Sequence, residues 1–80
     1  MDKITELIDE VPESLVVAFL EIRDSAKYNM YDAYGVTNQM LVNDVMDALW
    51  LIDDRSRVHT DRYQALLKAV TRKLREGGDN

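Results

Sequence analysis

Apolar positions recur along most of this chain at intervals of three and four residues, the pattern of helices buried on one face. In residues 2–10 the side chains of Ile4, Leu7 and Ile8, with Val11 just beyond, fall on one side of a helix. Pro12 ends that segment, because the residue before a proline is pushed out of the helical region. It also opens the next one, where its missing N–H costs nothing. Glu13 then meets the positive end of the second helix's dipole.

The second segment, "PESLVVAFLEIRDSA", contains an apolar run that a buried strand would also show. Alternation is absent, however, and Leu15, Phe19, Ile22 and Ala26 mark a helical stripe with Val16 and Leu20 beside it. No segment offers a hairpin partner, so a helix is expected. For the third helix the start is open: Asp32 can cap it at "DAYGV", or Thr37 can begin it after a turn at Gly35. Either way the pattern runs to about Asp54, burying Leu41, Val45, Ala48, Leu49 and Ile52, with Val42 and Met46 widening the stripe and Trp50 at its margin. The last helix carries Tyr63, Leu66, Leu67, Val70 and Leu74 on one face. Thr60 offers its N-cap, Asp61 suits its dipole, Arg72, Lys73 and Arg75 gather at its C-terminal end, and Gly77 and Gly78 can close it.

Amphipathic helices joined by short connections predict an all-α fold, a compact bundle of three to four helices. No repeat or linker divides the chain, so residues 1–76 are expected to form a single helical domain and 77–80 a flexible tail. The composition agrees with a folded domain, at 46% apolar and 31% charged residues. Without cysteine there is neither a disulfide nor a thiolate metal site to support so small a core, which suits reducing cytoplasm. No apolar run is long enough to span a membrane or to serve as a signal peptide.

Charge is unevenly placed. Residues 1–54 hold twelve Asp or Glu against Lys3, Arg23 and Lys27, a net of −9, whereas residues 55–80 hold seven Lys or Arg against Asp61, Glu76 and Asp79, a net of +4. The plain explanation is that the basic last helix packs beside acidic ones and complements them. A nucleic-acid reader would use Arg62, Lys68, Arg72, Lys73 and Arg75 as its basic patch. The acidic remainder opposes close approach to phosphates, which disfavours direct contact with nucleic acid.

Chemistry of the catalytic kind has little to build on. His59 is the only histidine, placed by its sequence in a loop near a helix start, and neither a cysteine nor a second histidine can partner it. Asp53, Asp54 and His59 lack the fixed helical spacing of a metal motif. Gly35, Gly77 and Gly78 form no phosphate-binding loop. No catalytic, cofactor or metal site is therefore expected.

The stretch "IRDSAKYNMYDAYGV", residues 22–36, carries three of the four tyrosines. Its polar residues have structural uses at a helix corner: Ser25 can bond the carbonyl one turn back, Asn29 tolerates a left-handed turn and Asp32 can cap. The run Ile22-Arg23-Asp24-Ser25, then Asn29-Met30-Tyr31-Asp32 and Val36, resembles a small family of phage and prophage proteins described only as a domain of unknown function. That family has glycine where this chain has Ala26. The resemblance implies a phage or prophage origin, and small acidic cysteine-free phage proteins often block host machinery, defence nucleases such as CRISPR effectors included.

The leading expectation is thus a small non-enzymatic binding protein in the bacterial cytoplasm, acting on a host protein or protein–nucleic acid complex. Tyr28, Tyr31, Tyr34 and Trp50 are its candidate anchors, being types favoured at interfaces. Asp44 and Asp47 are candidates for contact with a basic partner. The alternatives are a homo-oligomeric structural or regulatory module, in which oppositely charged ends meet between copies, and a DNA-binding regulator using the basic last helix.

Overall fold

In a computed structural model of the chain, residues 3–25, 29 and 32–77 are described. Among the described residues there are four α-helices, α1 (Lys3–Ile8), α2 (Glu13–Asp24), α3 (Ala33–Val42) and α4 (Thr60–Gly77), with a 3-10 helix at Met46–Leu51 between the last two. The all-α bundle expected from the periodicity is what forms. Residues 78–80 lie outside the described chain, as do Ala26, Tyr28 and Tyr31, so the expectations placed on them are not addressed by it.

Helix α4 is the spine, with α1, α2 and the 3-10 helix packed along it. Tyr63, Leu66 and Val70 enter a core that Leu15, Val16, Phe19 and Ile22 of α2 share with Val36 and Met40 of α3 and with Ala48 and Leu51 of the 3-10 helix. The rings of Phe19 and Tyr63 lie 6.4 Å apart and tilted by 57°, a geometry that adds about 0.5–1.5 kcal/mol to their burial. Burial, and then the charge of Asp32, push the Tyr63 phenol above its ordinary range, so it stays neutral.

The helix ends follow from local chemistry. Pro12 stands at the N-cap of α2 in extended conformation. Ser25 at the other end donates its hydroxyl to the Ile22 carbonyl at 2.6 Å, as its sequence position suggested. The start of α3 is decided in favour of Asp32, whose carboxylate accepts the Gly35 amide at 3.1 Å. A Cβ at position 35 would come 2.5 Å from that carboxylate, so a larger residue there would have to displace the Asp32 side chain from its cap. Thr37 sits in mid-helix, in the core.

Three expectations need correction. The third helix does not continue to Asp54 but stops at Val42. Asp44 takes φ of 64°, its amide bonds the Leu41 carbonyl at 3.0 Å, and the Val45 amide bonds the Met40 carbonyl at 2.9 Å. This is the Schellman closure, in which a left-handed residue satisfies the last carbonyls of a helix. The stripe loses its phase at that corner, so Leu49, Val42 and Met46 are exposed rather than core residues. Trp50 does remain half-buried at the margin.

The second correction concerns α4, whose N-cap is His59 rather than Thr60. The His59 carbonyl accepts the Tyr63 amide at 3.0 Å, and its Nδ1 accepts the Arg62 amide at 3.2 Å. A neutral imidazole can serve as such an acceptor. The His59 amide in turn bonds the Leu51 carbonyl at 2.7 Å, and a single bridge pairs Ile52 with Val58. The histidine is therefore a joint between the 3-10 helix and α4. The third correction is that Leu74, the last member of the α4 stripe, is 42% exposed.

Two stability changes follow. The Thr37 hydroxyl is buried, its residue only 2% exposed, without a hydrogen-bond partner among the described residues. An orphaned polar group costs about 1–3 kcal/mol. Thr37→Val is therefore expected to raise stability by about 1 kcal/mol, read as a melting temperature higher by about 4–8 °C. Conversely, His59→Ala should cost about 1 kcal/mol and His59→Asn much less, measured by urea denaturation.

Candidate docking surface

The charges of α4 are largely met within the molecule. Lys3 pairs with Asp61 at 3.9 Å, Arg72 with Asp9 at 3.5 Å and Lys73 with Glu13 at 2.7 Å. The Glu13 hydrogen bond, then its charge, hold the Lys73 ammonium above its ordinary range. Arg62 is used differently. Its guanidinium donates to the Trp50 carbonyl at 2.8 Å and lies 5.2 Å from the centre of the Trp50 ring, which ties the 3-10 helix to α4 by a cation–π contact. The five cations expected to act as one basic patch are therefore divided: Arg62 is a structural joint, Arg72 and Lys73 answer the carboxylates of the α1–α2 turn, and Lys68 and Arg75 have no ion pair among the described residues.

The aromatic candidates are divided as well. Tyr34 is 64% exposed and lines a shallow depression of about 370 Å³ with Asp53, Arg57, Val58, His59, Thr60 and Asp61. Asp53 is turned toward its own loop. Its carboxylate accepts the Arg55 amide at 2.9 Å and the Arg57 amide at 3.0 Å, with the Arg57 guanidinium at 3.7 Å. These bonds fold residues 53–57 back on themselves, with Ser56 at φ of 60°. Among the described residues no group of three or more His, Cys, Asp or Glu side chains is arranged to hold a metal ion, and no helix is long and apolar enough to cross a membrane.

The feature with the clearest binding character lies on the other side. Along α2, Glu13, Val17 and Glu21 are spaced by four residues, hence aligned on one face about 12 Å long at 1.5 Å per residue. The facing wall is the corner that the Schellman closure creates, with Asp44, Val45, Met46 and Asp47 in succession. Between the walls runs an open groove of about 510 Å³ lined by Val17, Ala18, Val45 and Met46 and by the four carboxylates. Val17 is 46% and Met46 65% exposed. Ser14 donates its hydroxyl to Asp47 across the groove, which holds the walls together at one end. Glu21 and Asp44 have no ion pair among the described residues.

Asp44 and Asp47, named from sequence, are thus brought to one surface, and Tyr34 and Trp50 do not line it. The sequence reading missed Val17 and Met46. Val17 is the apolar residue of α2 that falls off the buried stripe, and that was its available signal. Met46 lies on the apolar stripe of a helix continued through Asn43-Asp44, and only that polar pair signals the break that exposes it. Comparison with known proteins returns no protein-family model, no curated protein and no solved structure that matches the chain.

The Asp53 carboxylate carries a pH dependence. The Arg57 amide bond, against the opposing effect of burial and with the Arg55 amide, the Arg57 charge and His59 adding to it, holds its pKa below the ordinary carboxylate value. A depressed pKa means that ionised Asp53 favours the folded loop. That contribution is complete above about pH 4, the unfolded value, and is lost as pH falls through the depressed folded one. Amide-proton resonances of Arg55 and Arg57 should therefore move together on acidification below that range, and Asp53→Ala should abolish the transition.

Proposed function

We propose that this protein is a non-enzymatic binding module that acts by seating a basic, apolar-anchored segment of a protein partner in the groove between α2 and the Asp44 corner. One observation carries this reading: two of the exposed large apolar side chains, Val17 and Met46, lie open to solvent together in one groove whose lining also includes four carboxylates. Exposed apolar residues are ordinary taken singly. Collected in a groove with a polar rim, they have the composition of an interface centre.

The acidic rim supplies selectivity. It attracts a cationic partner from a distance and penalises an anionic one, which also argues against direct nucleic-acid binding through this face. A DNA-binding role for α4 has less support, because Arg62, Arg72 and Lys73 are engaged with Trp50, Asp9 and Glu13. The phage resemblance of residues 22–36 adds a context: a phage-encoded protein in a bacterial host cytoplasm, occluding a basic surface of a host protein or protein–nucleic acid complex, for which a defence nuclease is one candidate.

Affinity capture from bacterial lysate, quantified by mass spectrometry, tests the reading. Val17→Asp and Met46→Asp, both at exposed positions, should reduce capture of specific partners about tenfold or more, as loss of an anchor worth about 1.4 kcal/mol would. Tyr34→Ala should leave capture unchanged. Equal capture by both groove variants would overturn it.

A further inference from the structure

The apolar stripe of α4 outruns its own core. Tyr63, Leu66 and Val70 are buried, whereas Leu74, one turn on, is 42% exposed and stands between Lys73 and Arg75. An exposed leucine set between two cations on the last turns of a helix is the chemical complement of an apolar groove rimmed by carboxylates. Both halves of an interface are thus present on one chain.

We infer that the occupant of the groove is the C-terminal end of α4 from a second copy of this chain, so that Leu74 of each copy enters the Val17–Met46 groove of the other. The inference rests on the groove being a docking site and names its partner. Charge complementarity favours it. Glu21 and Asp44 beside the groove and Lys68 and Arg75 on α4 are among the charged groups that have no ion pair among the described residues, and contact between copies would pair the two sets.

Geometry favours a closed pair over an open chain. Lys73 bonds Glu13 at 2.7 Å, and Glu13 lines the groove, so the last turns of α4 adjoin the groove at Glu13. A two-fold axis can then present both to both copies, which satisfies the two patches at once and leaves neither free to recruit a third copy. The dimer also gives a small core additional apolar burial. Because it fills the groove, it competes with any other occupant: a partner must displace the second copy, and dilution favours the partner by mass action.

The test is sedimentation equilibrium of the full chain over a hundredfold range of concentration, at low and high salt. A concentration-dependent dimer is expected, weakened by salt because exposed charges are screened over about 10 Å at 0.1 M. Leu74→Asp and Met46→Asp should each weaken it at least tenfold. Glu21→Lys and Arg75→Glu should each do so alone, and an equimolar mixture of those two variants should form a heterodimer, since it restores opposite charges at each contact. A chain that stays monomeric throughout, while Val17→Asp still abolishes partner capture, would overturn the second-copy occupant and leave the docking groove standing. A dimer indifferent to Met46→Asp and Leu74→Asp would overturn the inference outright.

Discussion

The acidic face depends on a single left-handed residue. Asp44 holds φ at 64°, and with it the Asp44 and Val45 amides turn back to the Leu41 and Met40 carbonyls. Left-handed backbone is unfavourable for most residues with a Cβ, and Asp and Asn tolerate it better because their short polar side chains can bond locally. Had the helix continued, Val45 and Met46 would have stayed on its stripe. The turn instead sends the chain sideways into a 3-10 helix, buries Ala48 and Leu51, and leaves Met46 facing α2 across open space. One backbone conformation thus ends a helix, supplies two core residues and builds one wall of the groove.

The opposite wall is built by a mismatch of a different kind. Helix α2 buries Leu15, Val16, Ala18, Phe19 and Ile22, a face wide enough to meet α3, α4 and the 3-10 helix. Val17 lies beyond that face and has no neighbouring element to cover it. The carboxylates on either side, Glu13 and Glu21, follow from helix periodicity, because four residues bring a side chain back to nearly the same side. Glu13 is drawn into a pair with Lys73, so the wall is anchored to α4 as well as to the Asp47 side. The groove is accordingly held by both the spine and the corner.

What was legible in the sequence was whatever repeats. The stripes of α2 and α4, the proline between α1 and α2 and the Ser25 back-bond all depend on neighbours within about four residues, and local spacing reports them, whereas it left Asp32 and Thr37 as alternative starts for α3. The end of α3 was not legible in the same way, because Asn43-Asp44 in a strongly apolar pattern is compatible with a polar face of a longer helix as well as with a left-handed stop. His59 was expected in a loop near a helix start, but its use as a cap depends on the 3-10 helix holding its amide through Leu51, a contact that no short-range rule supplies. The acidic candidates Asp44 and Asp47 were sound as residue types. Their meeting with Glu13 and Glu21 required packing between segments more than twenty residues apart. Tyr34 was expected to be an anchor and is exposed, though on a different surface from the groove.

The same smallness that limits the core accounts for where the unspent apolar surface lies. An eighty-residue chain buries a modest fraction of its surface, and α4, at eighteen residues, is longer than the six-residue α1 and twelve-residue α2 that lie against it. Its final turns meet the α1–α2 turn through Arg72 and Lys73 but leave Leu74 open to solvent, while the α3 corner leaves Val17 and Met46 uncovered elsewhere. Lengthening α1 or α2 would cover such residues without any new chemistry. Instead the groove lining carries four carboxylates and no cation, whereas Leu74 has Lys73 and Arg75 on either side of it in sequence, Lys73 being the one that reaches back to Glu13. A surface shaped only for solubility would intersperse the two signs around both. Segregation of sign around separate apolar patches gives each patch a charge preference, and that preference turns uncovered surface into a selective contact.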